Sequence, residues 1–212
     1  MNSNIITNKN TYIIVLLTIS LSVVISLLIT RKLILGNGSP NNLDEKDYSS
    51  YFNDKYRWHK NTKTKNMVNN LHPLFRGKIA EFFSEIENKL GLTAYSTSGY
   101  RDFKHQTRLY NQNNQNAKAG YSSHNYGFAI DINVKDKDGK RFLKKADTSK
   151  KWRDSGVVPL SEKLNLKWGG DGNFGNYHDP VHFYIRPNNK STTELLALVN
   201  DKQVDSKGYV IV

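Results

Sequence analysis

Residues 127–134, "GFAIDINV", form an apolar run with a carboxylate inside it. Apolar side chains alternate along this run at Phe128, Ile130, Ile132 and Val134. This alternation predicts an extended strand with one buried face, and it places Asp131 on the opposite face. Because an isolated buried carboxylate is costly, Asp131 must be paired, hydrogen-bonded or bound to a metal ion. The run therefore predicts a packed sheet that carries a polar site.

The segments around this strand predict an α+β domain. A helix is expected to begin near Pro73 and to end before Gly91, since proline suits a first helical turn and glycine the position after the last. Further strands are expected over residues 92–98 and 181–186, and further helices over residues 102–113 and about 149–164. Strands and helices without a repeating βαβ pattern indicate a small, mainly antiparallel sheet packed with helices.

An uncharged run lies ahead of this domain. Thr11–Thr30 contains no charged residue, and about 20 such residues cross a hydrocarbon core of about 30 Å. The alternative is a cleaved signal peptide, but those have apolar regions of about 7–15 residues and a small-residue cleavage site. No such site is evident before Arg31. We therefore expect one transmembrane helix over residues 11–30, after a short tail over residues 1–10. Basic residues on both sides leave its orientation open.

The rest of the chain divides by composition. Residues 31–66 are polar and are expected to form a linker, with local order around residues 51–58. Residues 67–190 hold the predicted domain. Residues 191–212 form a C-terminal extension that is expected to contain one short helix and one short strand and has no predicted role. The net charge is +12, and part of it lies in the basic stretch Lys135–Arg153. Such a stretch favours a polyanion, which could be nucleic acid, an anionic lipid or an acidic cell-wall polymer, and the alternative is a solvated loop and helix face. No nucleic-acid motif accompanies the charge, so no nucleic acid is expected as a partner. The absence of cysteine excludes disulfides and cysteine ligands.

A second candidate site lies in "VHFYI", residues 181–185. As a strand, this segment presents His182 on its polar side, as the earlier strand presents Asp131. Placed side by side, the two strands bring these side chains together, and His124 reaches them from the preceding turn. Two imidazoles and a carboxylate suit zinc, and three protein ligands leave a fourth position open for water, as in catalytic sites.

Two further side chains fit catalytic roles beside such an ion. Asp179, three residues before His182, is placed to accept a proton from zinc-bound water near neutral pH. Arg101, at a strand-to-helix corner, supplies a cation for the oxyanion. Gln106 reaches towards the substrate from the helix over residues 102–113, although an exposed helical glutamine is the simpler interpretation. The remaining histidines are interpreted without a ligating role: His59, His72, His105 and His178.

The segment "SSHNYGFAID" fits Ser-x-His-x-x-Gly-x-Ala-x-Asp at each fixed position. With "SGYR" upstream and "WGGD…HDPVHF" downstream, the chain from about Leu71 to Arg186 resembles the zinc peptidoglycan peptidases. These include D-alanyl-D-alanine carboxypeptidases and dipeptidases, and L-alanyl-D-glutamate endopeptidases. The family fold, a small antiparallel sheet packed with helices (zinc DD-peptidase/hedgehog-like), agrees with the α+β prediction.

The resemblance implies roles for individual residues. One zinc ion per domain would be held by His124, Asp131 and His182. Asp179 would act as the catalytic acid and base. Arg101 would stabilise the substrate carbonyl, and Ser122 would help to position a ligand or the substrate.

The resemblance also implies a substrate and a location. Asp179 stands where dipeptidase relatives carry glutamate, which favours the L-alanyl-D-glutamate endopeptidase branch. The alternatives are a D-alanyl-D-alanine carboxypeptidase and a non-catalytic wall-binding module. Because peptidoglycan stem peptides lie outside the cytoplasmic membrane, we expect the domain to face the cell wall, anchored by a single pass. We also expect the protein to be a monomer.

Overall fold

The computed structural model describes residues 46–172, 174 and 177–212. Its α-helices are α1 (Arg57–Lys60), α2 (Thr62–Asn69), α3 (Pro73–Leu90), α4 (Phe103–Gln112), α5 (Ser149–Asp154), α6 (Val157–Lys163) and α7 (Thr192–Asn200). Its strands are β1 (Thr93–Ser98), β2 (Ala129–Lys135), β3 (Arg141–Leu143), β4 (Lys167–Trp168) and β5 (His182–Tyr184). Short 3₁₀ turns cover Ser49–Tyr51, Ser123–Tyr126 and Pro187–Asn189.

The strands form one antiparallel sheet in the order β1-β2-β5-β4, with β3 also paired to β2. In the β2–β5 register Asp131 lies opposite His182, and Ile130 lies opposite Phe183. Directly opposite residues of antiparallel strands point to the same face. One face of the sheet therefore carries the predicted site and the other the core, and the predicted α+β class with a small antiparallel sheet is confirmed.

The long helix α3 covers the apolar face of the sheet. The four alternating residues of the β2 run, from Phe128 to Val134, are fully buried. Phe82 of α3 packs on Phe183 of β5 with ring centroids 5.1 Å apart. Burial of each large apolar side chain contributes about 1.5–3 kcal/mol. The alternation in β2 is thus explained by packing against α3.

The two ends of α3 follow the sequence signals. Pro73 occupies the first turn, and the ring of His72 caps the helix by accepting a hydrogen bond from the Leu74 N–H at 3.2 Å. Gly91 ends the helix in the left-handed region, at φ 65°. Because side chains rarely adopt that conformation, glycine is the residue that suits it.

The ordered domain begins earlier than the sequence predicted. Residues 46–66, predicted as part of the linker, include α1 and most of α2. Trp58 is fully buried, and its indole N–H donates to Ser84 at 3.0 Å. Glu87 accepts the backbone N–H groups of Arg57 and Trp58 at 2.9 and 2.8 Å. The polar composition concealed this packing, because one tryptophan and one carboxylate anchor the segment to α3.

The predicted transmembrane helix, residues 11–30, lies outside the described residues, as does the start of the predicted linker. Among the helices that the structure describes, none combines the length and apolar character needed to cross a bilayer.

The C-terminal extension packs on the domain. Leu195 of α7 and Val210 are buried, and the backbone carbonyl of Val210 accepts a hydrogen bond from His72 Nε2 at 3.0 Å. The predicted short helix is present as α7. In place of the predicted short strand, Val204 and Val210 form an isolated antiparallel bridge.

Candidate active site

Three predicted ligands converge at the polar face of the sheet. His124 Nε2 lies 3.2 Å from Asp131 Oδ1 and 3.2 Å from His182 Nδ1, and His182 Nδ1 lies 2.9 Å from the same Asp131 oxygen. Ligands at zinc distances of about 2.0–2.1 Å and tetrahedral angles stand about 3.3–3.4 Å apart. The observed edges are within about 0.5 Å of that size, so these three residues could hold one metal ion.

The orientation of His124 suits ligation. Its Nδ1 lies 2.6 Å from the Gly99 carbonyl oxygen, and a carbonyl oxygen only accepts, so Nδ1 carries the hydrogen. Nε2 then presents a lone pair to the cluster, as a metal-binding imidazole must. His124 is buried, and burial lowers its pKa, which favours the neutral ring.

Asp131 divides its two oxygens between the cluster and Arg101. Its Oδ2 accepts a hydrogen bond from Arg101 Nη2 at 2.9 Å, while Oδ1 faces the two imidazoles. Burial raises the pKa of Asp131, but the neighbouring His124 and His182 hold the pKa well below its ordinary value. The carboxylate is therefore ionised and presents one oxygen to a metal ion.

Arg101 is fixed by three partners. Besides Asp131, it donates from Nε to Ser98 Oγ at 2.8 Å and from Nη1 to Gln106 Oε1 at 3.4 Å. Arg101 thus positions a predicted ligand. Its predicted action on the substrate carbonyl stays a prediction.

Gln106 does not have the exposed position that the simpler interpretation gave it. It is 1% exposed, and its Nε2 donates to the carbonyl of Ala117 at 2.7 Å. Its carbonyl oxygen supports Arg101. Gln106 therefore connects α4 to the segment before His124, and its predicted contact with substrate stays a prediction.

The turn that carries His124 is fixed by backbone contacts. Ser122 Oγ accepts from the His124 N–H at 3.4 Å, and Asn125 bridges the Gly120 N–H and the Arg101 carbonyl at 3.0 and 2.9 Å. Gly127 closes the turn at φ 72°, where an added Cβ would lie 2.6 Å from the His72 nitrogen. A side chain at position 127 would displace the turn, which explains the glycine between His124 and β2.

The three ligands open into a cavity of about 490 Å³, which Ser122, Arg101, Gln106 and Asp179 also line. Asp179 is held by its backbone, which donates to the Gly169 carbonyl and accepts from the His182 N–H. Its side-chain Oδ1 is buried and has no hydrogen-bond partner among the described residues. Lys145 Nζ lies 3.5 Å away, a charge contact too long for a strong hydrogen bond. This oxygen therefore faces the cavity without a hydrogen-bond donor among the described residues.

Several cavity residues carried no signal in the sequence. Lys145 belongs to the basic stretch, where its neighbours are also lysine and arginine, and Tyr177 lies in the loop before Asp179. Thr192 and Leu195 belong to the C-terminal extension. Each of these residues lies at the cavity because of how distant segments pack together, and the spacing of residues in the sequence does not predict such packing. His178, by contrast, is exposed and lies outside the ligand cluster.

The chain was compared with known proteins. Residues 115–185 match a family model described as D-alanyl-D-alanine carboxypeptidase. The peptidoglycan L-alanyl-D-glutamate endopeptidase CwlK of Bacillus subtilis (strain 168) is 29% identical over 148 residues, which cover 63% of this chain and 86% of that protein.

Two solved structures are also similar. The L-Ala D-Glu endopeptidase ChiX of Serratia marcescens has a TM-score of 0.43 and 15% identity, over 58% of this chain and 86% of its own. The LD-carboxypeptidase LdcB has a TM-score of 0.41 and 14% identity, over 70% of this chain and 83% of its own.

Proposed function

We propose that this chain, whose resemblance to the peptidoglycan peptidases is confirmed, is a zinc-dependent endopeptidase that hydrolyses the L-alanyl-D-glutamate bond of peptidoglycan stem peptides. The observation that carries the proposal is the triangle of His124, Asp131 and His182, which shares one cavity with Asp179, whose Oδ1 has no hydrogen-bond partner among the described residues. The specificity is taken from CwlK, the relative whose name states it.

The donor set supports zinc as the cofactor, with one ion per domain. Two imidazole nitrogens and one carboxylate oxygen leave room for a fourth ligand, the composition of catalytic rather than structural zinc sites. The ion would polarise the scissile carbonyl and make water acidic enough to lose a proton near neutral pH.

The protein's own residues supply the proton transfers and the positioning. Asp179 takes the proton of the attacking water at its carboxylate and returns it to the departing amine. Arg101 holds Asp131 in place and presents its guanidinium to the same cavity, where it stabilises the carbonyl oxygen as negative charge develops. Ser122 keeps the His124 turn in position through its hydrogen bond to the backbone.

A second candidate function is removal of a terminal D-alanine. The description of the family model that matches residues 115–185 favours it. The catalytic groups are the same for both reactions, so the difference lies in which part of the stem peptide the cavity accepts.

Digestion of purified muropeptides with and without a chelator tests the proposal. Mass spectrometry should detect scission after the first alanine, and that scission should disappear with chelator. Loss of one alanine instead identifies the carboxypeptidase, and no product from metal-loaded protein refutes both. Asp179→Asn should abolish turnover and keep metal binding. Asp154→Asn, an exposed carboxylate paired with Lys150, is the matched control and should keep full activity.

We also propose that residues 11–30 anchor the chain in the cytoplasmic membrane, with the domain facing the cell wall. The uncharged run and the location of the proposed substrate support this orientation. In intact spheroplasts, added protease should digest the domain. Protection of the domain until the membrane is lysed would refute the orientation.

A further inference from the structure

Lys145 and Tyr177 form a pair beside the proposed acid and base. Lys145 Nζ donates to the Tyr177 hydroxyl at 2.9 Å and lies 3.5 Å from Asp179 Oδ1. All three residues line the cavity. An ammonium group has three donors, and the hydrogen bond to Tyr177 uses one, so a donor remains for a ligand beside the charge contact with Asp179. The hydroxyl accepts from Lys145, which leaves its own hydrogen free to donate.

The substrate chemistry shows what two such donors can bind. D-Glutamate has two carboxyl groups, and the stem peptide can continue through only one of them. A carboxypeptidase releases a C-terminal residue, which has a free carboxylate by definition. In both candidate reactions, therefore, the residue that supplies the leaving amine also carries a free carboxylate.

The position of this carboxylate follows from the proton transfer. Asp179 must come within hydrogen-bond distance of the leaving amine to return the proton. When the free carboxylate is the one on the α-carbon, bond lengths place its oxygens about 3 Å from the amine nitrogen. The carboxylate then reaches the surroundings of Asp179, where two negative charges repel each other unless a cation lies close to both.

We propose that Lys145 and Tyr177 form a carboxylate subsite that selects substrates by the free carboxylate on the residue that supplies the leaving amine. This inference rests on the proposed function, and it holds for either scissile bond. Lys145 supplies the charge and one donor, and Tyr177 supplies a second donor. Arg101, Arg186 and Lys190 also line the cavity, but among the described residues Lys145 is the cation that lies against Asp179, at 3.5 Å.

Two stem peptides that differ at one group test the subsite. One carries the free carboxylate on the leaving residue, and the other carries a carboxamide in its place. For the wild-type chain we expect kcat/KM to favour the carboxylate peptide about 10- to 100-fold, the range of one charge-assisted hydrogen bond. Lys145→Met should reduce this preference to within about 3-fold, and Lys145→Arg should restore part of it.

The neighbouring residue supplies a matched control. Lys144 has an exposed side chain outside the cavity, so Lys144→Met removes the same charge from the same segment and should keep the full preference. Tyr177→Phe removes only the second donor and should reduce the preference about 3- to 10-fold.

An equal loss of kcat/KM on both peptides in Lys145→Met would overturn the subsite, because Lys145 would then act only on Asp179. A wild-type chain that shows no preference for the carboxylate would overturn it as well. Failure of the metal-loaded wild-type chain to cleave either peptide is a different result, since it refutes the proposed function and removes the basis of the subsite with it.

Discussion

Metal binding should stabilise this domain by an amount that the thermal unfolding curve resolves. The ion can be removed with a chelator, and its binding can be prevented by His182→Asn. His124 Nε2, Asp131 Oδ1 and His182 Nδ1 lie within 3.2 Å of one another. Nε2 of His124 carries no hydrogen, because its other nitrogen donates to Gly99. The three side chains thus share few hydrogens, and a metal ion would accept a lone pair from each of them.

The size of the effect follows from mass action. Free zinc at 1,000 times its dissociation constant stabilises the folded state by about 4.1 kcal/mol. In a domain of about 150–250 residues, each kcal/mol raises the melting temperature by about 2–4 °C. Added zinc should therefore raise the melting temperature of chelator-treated protein by about 8–16 °C, measured by circular dichroism.

The control for this experiment is a histidine outside the cluster. His178→Asn alters an exposed ring and should keep the full zinc-dependent shift, whereas His182→Asn should lose most of it. If zinc gives no shift in the wild-type chain, or the same shift in His182→Asn, the three residues do not form the metal site.

Three other residues yield predictions about the supporting structure. Gln106→Met should destabilise the fold by about 1–3 kcal/mol in urea unfolding, because it removes the hydrogen bonds to Arg101 and to the Ala117 carbonyl. Burial lowers the pKa of His72, so the stability that its neutral ring contributes is complete above the ordinary pKa of about 6.5 and decreases as the pH falls through the lowered value. His72→Asn, which retains a capping side chain, should remove this part of the pH dependence, and an unchanged urea midpoint profile would contradict the assignment. Gly127→Ala should abolish the zinc-dependent shift, because its Cβ meets backbone that cannot move aside; a normal shift would show that the His124 turn tolerates displacement.

The sequence predicted the strands in which apolar and polar side chains alternate and the helix whose ends carry capping residues. Alternation in the β2 run separated the packed residues from Asp131, and the same argument placed His182 on the polar side of β5. Pro73 and Gly91 marked the ends of α3. These predictions succeeded because strand pleating and helix capping are local properties of the backbone.

The contacts that local patterns do not encode were missed. Gln106 looks exposed on a polar helix, yet it is buried because Arg101 and Ala117 lie on either side of it. Trp58 lies in a polar segment and was assigned to the linker, yet it packs on α3. Trp58 and its partner Ser84 lie 26 residues apart, and Gln106 meets Ala117 in a segment without regular secondary structure. No periodic sequence pattern relates such partners.

The arrangement of the site separates the chemistry from the choice of substrate. Asp131 and His182 lie opposite each other in the sheet register, and the His124 turn is fixed by backbone contacts, so the ligand triangle depends on the rigid part of the fold. Lys145, by contrast, lies on the segment after β3, and α7 comes after the last strand of the sheet. Loops and terminal segments change with less cost to the core than strands do. Substitutions in the surrounding segments can therefore alter which peptide the proposed site accepts while the three predicted ligands, Asp179 and Arg101 keep their geometry.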